Sequence, residues 1–133
     1  MAIDYGDVRT GIAVSDESAV LCGDAWIIEE WNAERLADKI ADEAGKRGVS
    51  RIVLGLPKNM DGSEGARAEK SRAMASMLEG KTGLEVVLWD ERRSSVEAHA
   101  ILRASGKREK KHKATVDAVA ASLLLEGYLG SVK

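Results

Sequence analysis

Two short, nearly unbroken apolar runs constrain this chain more than anything else in it. Arg51 to Leu56 (Arg-Ile-Val-Leu-Gly-Leu) and Leu84 to Trp89 (Leu-Glu-Val-Val-Leu-Trp) lack the alternation of a half-wet strand. Each therefore reads as a strand covered on both faces. Pro57 stops the first, and Lys58 to Gly65 is a polar loop. A helix follows over about Ala66 to Lys81, with Ala73, Met74, Met77 and Leu78 on one stripe and Gly83 as its breaker. Two buried strands joined through a helix imply a sheet with helical crossovers.

The rest of the chain fits around that unit. Ala2-Ile3-Asp4 and Thr10 to Ser15 read as two strands joined by a tight turn over Gly6 to Arg9, which predicts an antiparallel hairpin. Ala25 to Glu29 is a third strand. Asn32 is placed as an N-cap for a helix to about Arg47, with Leu36, Ile40 and Ala44 on one face and Gly48 just past its end. Ser94 and Glu97 form a capping box for a helix to about Ala104. The final helix is expected over Ala114 to Leu129, with Val116, Ala120, Leu123 and Leu124 inward. The order is β-β-β-α-β-α-β-α-α. It predicts a single α/β domain over residues 1–133, a mixed five-stranded sheet flanked by helices.

Composition narrows the function classes. The chain of 133 residues is 44% hydrophobic and 32% charged, as an ordinary globular protein is. Its single cysteine, Cys22, excludes an internal disulfide and a cysteine-based zinc site, and suits a reducing compartment. No run approaches the ~20 apolar residues of a membrane span, and no signal-peptide pattern opens the chain. The expectation is a cytoplasmic protein with no membrane partner. The net charge of -2 speaks against bulk attraction to nucleic acid, but it hides a segregation. Met1 to Glu91 carries -7, whereas Arg92 to Lys113 carries +6.

Sites in open α/β sheets gather at the carboxyl ends of strands. Asp4 ends the first strand, Asp90-Glu91 end the last, and Asp117 stands in the first turn of the final helix. Converging carboxylates need a cation, and oxygen-only ligands select Mg²⁺ or Mn²⁺. Each residue alone also has a plainer reading. Asp4 can start a turn, Asp90-Glu91 can be solvated, and Asp117 can simply complement a helix dipole. His99 and His112 read as surface residues, and Cys22 as a packed thiol. Lys107, Arg108, Lys110, Lys111 and Lys113 form a basic loop that, with Arg92, suits a polyanion beside a metal-bearing cleft. Aromatic interleaving is sparse, so stacking of single-stranded bases is not expected.

Four ordered blocks carry a resemblance over almost the whole chain. They are Asp4-Tyr5-Gly6 with Arg9 to Asp16, Gly55 to Gly65, Trp89-Asp90-Glu91-Arg92, and Val116 to Ala121. Together they resemble the YqgF/RuvX type of ribonuclease H-like nuclease, whose members are described as Holliday junction resolvases and as pre-16S rRNA nucleases. The resemblance implies a ribonuclease H-like fold and a divalent-metal site held by Asp4, Glu91 and Asp117, with Asp90 able to share or take the role of Glu91. It puts the Gly55 to Gly65 loop near the cleft, with Arg9, Asn59 and Ser63 as substrate contacts. Family members usually carry several residues before the first motif. Here Asp4 follows only Met1, Ala2 and Ile3, so either the start is mis-assigned or truncated, or the first strand is short.

The function expected is metal-dependent phosphodiester cleavage by a water activated at Mg²⁺ or Mn²⁺. Maturation of the 5′ end of precursor 16S rRNA stands first, Holliday junction cleavage second. Two rivals come from other classes. Asp4-x-Gly6-x-x-x-x-Gly11 also looks like the first phosphate loop of actin-like ATPases, which need two such domains. A non-catalytic nucleic-acid-binding module is the other. A homodimer would suit a two-fold symmetric junction.

Overall fold

The computed structural model describes residues 1–15, 22–58, 61–90 and 120–129. The strand expected at 51–56 is there residue for residue as β4 (Arg51–Leu56), and the second apolar run forms β5 (Glu85–Asp90), one residue later at each end. Between them runs α2 (Ala66–Thr82), closed by Gly83 at φ 70°, whose N–H bonds to Glu79 O. The hairpin is β1 (Ala2–Asp4) and β2 (Arg9–Ser15), antiparallel as expected. β3 (Cys22–Glu29) starts three residues earlier than expected, because β2 offers it a ladder from Arg9↔Glu29 up to Ser15↔Cys22. α1 (Ala33–Lys46) begins after Asn32, whose side chain accepts from the Arg35 N–H at 2.9 Å. Residues 120–129 form the helix here labelled α3. The expected helix at 94–104, the basic loop and residues 114–119 lie outside the described residues.

The sheet order is β3-β2-β1-β4-β5, mixed and five-stranded, with β1 parallel to β4 and β4 parallel to β5. β1 has only three residues yet is the central strand, pairing on both sides. The carboxyl ends of β1, β3, β4 and β5 therefore share one end of the sheet.

Side chains of successive strand residues point to opposite faces, and two clusters fill those faces. Ile3, Ile12, Ile52 and Leu54 pack with Leu36, Ile40, Met74 and Leu78, under α1 and α2. Ala2, Ala13 and Val53 pack with Ala121, Leu124, Leu125 and Tyr128 of α3. The small residues on this second face let α3 lie close to the strands. Tyr128 fastens it, standing edge-on to Trp89 at 5.9 Å and accepting a hydrogen bond from Arg51 Nη1 at 2.7 Å.

Two inward stripes differ from expectation. In α2 the buried face is Ala68, Ser71, Met74, Ala75 and Leu78, whereas Ala73 is exposed and Met77 half-buried. The helix carries alanines on two opposite sides (Ala66 and Ala73, Ala68 and Ala75), so the apolar pattern did not fix its rotation. In α3 Leu123 is half-buried, and Ala121 and Leu125 take the inward positions instead.

Candidate active site at the carboxyl end of the sheet

Strand alternation decides which candidates share a face. On β1, Ala2 belongs to the α3 side and Ile3 to the α1/α2 side, so the next step turns half-buried Asp4 toward α3. On β2, Ile12 and Val14 face α1/α2 and Ala13 faces α3, which puts Gly11 and Arg9 on the side of Asp4. The register pairs Asp4 directly with Gly11. On the other flank Ile3 pairs with Leu54, so Gly55 comes beside Asp4 in the same register. A carboxylate thus stands on the central strand between two residues without side chains. Both glycines are buried, and Arg9 and α3 share that face with Asp4.

The turn that follows Asp4 is held tightly. Thr10, fully buried, bonds the Gly6 N–H (3.3 Å) and donates to the Gly6 carbonyl (3.4 Å). A Cβ on Gly6 would collide with the Arg9 carbonyl oxygen, so the turn requires glycine. Arg67 of α2 donates to the Tyr5 carbonyl at 3.5 Å.

Asp90 falls differently. β5 alternates with Leu88 toward α1/α2 and Trp89 toward α3. That assigns Asp90 to the face opposite Asp4. Glu91, Arg92, Asn59, Asp117 and the basic residues Lys107, Arg108, Lys110, Lys111 and Lys113 lie outside the described residues. Among the described residues no group of three or more His, Cys, Asp or Glu is arranged to hold a metal ion.

The loop after β4 is pinned at its end. Arg72 grips Glu64 with two bonds of 2.7 and 2.8 Å, and Glu64 in turn bridges Lys58. The Arg72 guanidinium holds the Glu64 carboxyl below its usual range. Ser63 is turned back on Asp61, which accepts from both its N–H (2.9 Å) and its hydroxyl (2.6 Å). The residues that sequence reasoning missed are Gly11 and Gly55 as the two flanks of Asp4. A glycine inside a strand of good β-formers was the available signal.

With this geometry in place, likeness to known proteins is informative. A family model described as "RuvX: Holliday junction resolvase" matches residues 1–131. The chain belongs to the RuvX family. Among relatives, a protein of Halothermothrix orenii named "Putative pre-16S rRNA nuclease" is 41% identical over 97% of this chain and 92% of its own length. A protein of the same name from Anaeromyxobacter dehalogenans is 42% identical over 97% and 94%. Among solved structures, RuvC of T. thermophilus in complex with a Holliday junction substrate superposes with a TM-score of 0.61. It covers 97% of this chain and 94% of that one at 12% identity. That likeness makes the fold ribonuclease H-like, as the family motifs implied. No helix among the described residues is long and apolar enough to cross a membrane.

Proposed function

We propose that this RuvX-family chain is a divalent-metal-dependent phosphodiester nuclease acting on structured nucleic acid, with the 5′ end of precursor 16S rRNA as its substrate. The observation that carries the reading is Asp4: a carboxylate at the carboxyl end of the central strand, flanked by Gly11 and Gly55, sharing its face with Arg9 and α3. A carboxylate oxygen at the carboxyl end of a strand fits a hard cation. Asp4, Glu91 and Asp117 would hold it. Asp90, assigned by alternation to the other face, is not part of the set. A bound divalent ion would supply Lewis acidity and a water of lowered pKa.

The chain's own residues do the rest. Arg9 meets the substrate phosphate from the neighbouring strand, and its charge offsets that of Asp4. Arg92 and the basic loop from Lys107 to Lys113 hold flanking phosphates, a sequence-independent grip that weakens with salt. The names of the relatives support precursor rRNA as the target. Junction cleavage is the second reading, favoured by the family description and by the fold shared with RuvC.

The test is cleavage of labelled precursor 16S rRNA and of a four-way DNA junction, side by side, with Mn²⁺ or Mg²⁺. Asp4→Asn should abolish cutting of the true substrate while leaving the thermal transition and substrate binding intact. Wild-type rates from Asp4→Asn would sink the assignment, and faster cutting of the junction than of the rRNA would reverse the order of the two substrates.

A further inference from the structure

A second feature lies at the same end of the sheet, on the opposite face. Tyr5 directly follows Asp4 and packs toward α1 and α2. Beside it an open groove of about 350 Å³ is lined by Tyr5, Trp31, Met74 and Met77, with Asp7 and Lys70 at its rim. Trp31 is 73% exposed, and Val8, the other large exposed hydrophobic among the described residues, is 54% exposed. Their backbones are close, since the Glu30 N–H donates to the Val8 carbonyl at 2.8 Å.

The exposure of Trp31 is not that of a loose loop. Asn32 after it caps α1, and the Asn32 N–H donates to Glu30 Oε2 at 3.2 Å. Glu30 before it is bound by Lys39 at 3.0 Å. Backbone on both sides of the indole is fixed, so little backbone freedom is left to lose when the ring is covered. The rim cation Lys70 faces Asp7 at 3.6 Å with both side chains well exposed. Such a pair is weak, and a phosphate can take the place of Asp7.

We infer that this groove is a stacking subsite for an unpaired base of the substrate strand, next to the phosphate held at Asp4. The inference rests on the nuclease reading above. An exposed, pre-positioned indole offers a π-face that any base can use, the methionines form an adaptable floor, and Lys70 takes the adjoining phosphate. Asp4 and Tyr5 are neighbours in sequence, one Cα step of about 3.8 Å apart. The groove therefore adjoins the residue that follows Asp4, on the other face of the sheet. The sparse aromatics of the sequence spoke against base stacking; the fold concentrates two of them beside the candidate site.

The experiment uses the full chain, with Asp4→Asn as background for binding and the native Asp4 for cutting. The probes are an RNA duplex with a single-stranded 5′ extension, its DNA counterpart, and versions carrying one abasic position moved along the extension. Trp31→Ala should raise Kd and KM roughly 5- to 100-fold, with kcat at saturation and the thermal transition unchanged, and Trp31→Phe should restore much of the loss. One abasic position should weaken the native protein and leave Trp31→Ala unaffected. A chain that cuts its substrate with the same KM in native and Trp31→Ala forms overturns the subsite alone. A flat abasic scan overturns it as well. A native chain that neither binds nor cuts any probe overturns the nuclease reading and the subsite together.

Discussion

At the scale of the residue, the candidate site depends on where side chains are missing. Asp4 is one of 22 acidic residues, and nothing about it alone separates a ligand from a turn former. What separates it is the register, which sets Gly11 on one flank and Gly55 on the other. Gly6 acts one step away. Its hydrogen bonds with Thr10 and its closeness to the Arg9 carbonyl fix the path between Asp4 and Arg9. Gly6→Ala must push backbone aside, and it should cost about 1–3 kcal/mol in urea unfolding, the range for steric overpacking. Loss of cleavage should accompany it, since Asp4 and Arg9 sit at the two ends of that turn. Melting identical to the native chain would show that the turn relaxes freely. Strand parity also assigns Asp90 to the face opposite Asp4.

At the scale of the element, helices were legible where polarity is segregated and ambiguous where it is not. α1 shows the legible case. Asn32 caps it, and Leu36, Ile40 and Ala44 are buried as their four-residue spacing predicts. α2 has the expected span within one residue, but its alanines left the inward face undetermined, and packing against β4 and β5 chose it. The choice is measurable. Met74→Ala, at a fully buried position, should destabilise by about 2–5 kcal/mol. Ala73→Ser, at an exposed one, should stay within ~0.5 kcal/mol. Equal costs at the two positions would contradict the observed rotation of the helix.

At the scale of the whole molecule, the central strand is the shortest, and burial reaches its first atom. The Met1 amine donates to the Arg51 carbonyl at 3.1 Å, and desolvation lowers its pKa from 8.0 to about 6. The charged form is disfavoured in the folded state, so between pH 6 and 8 the unfolded chain holds more protons. Stability of the chain beginning at Met1 should therefore rise with pH across that window, by about 2–3 kcal/mol for two pKa units. Below the folded pKa the penalty is fully present, and above 8 it has gone. Denaturant titrations at pH 5.5, 7 and 8.5 check the slope, and acetylation of the amine should flatten it. A flat profile in the free-amine protein would mean that the amine keeps its ordinary pKa.

The sequence by itself determined the strands, because unbroken apolar runs and alternation are local signals of how many faces are covered. It also determined the family, because four motifs recur in a fixed order, and with the family came the ribonuclease H-like fold. Local patterns could not say which carboxylates share a face, which side of α2 turns inward, or that exposed Trp31 lines a groove with Tyr5. Those are relations between residues brought together by strand register and packing. A one-residue change in register would reverse every face assignment, so only the tertiary structure decided them.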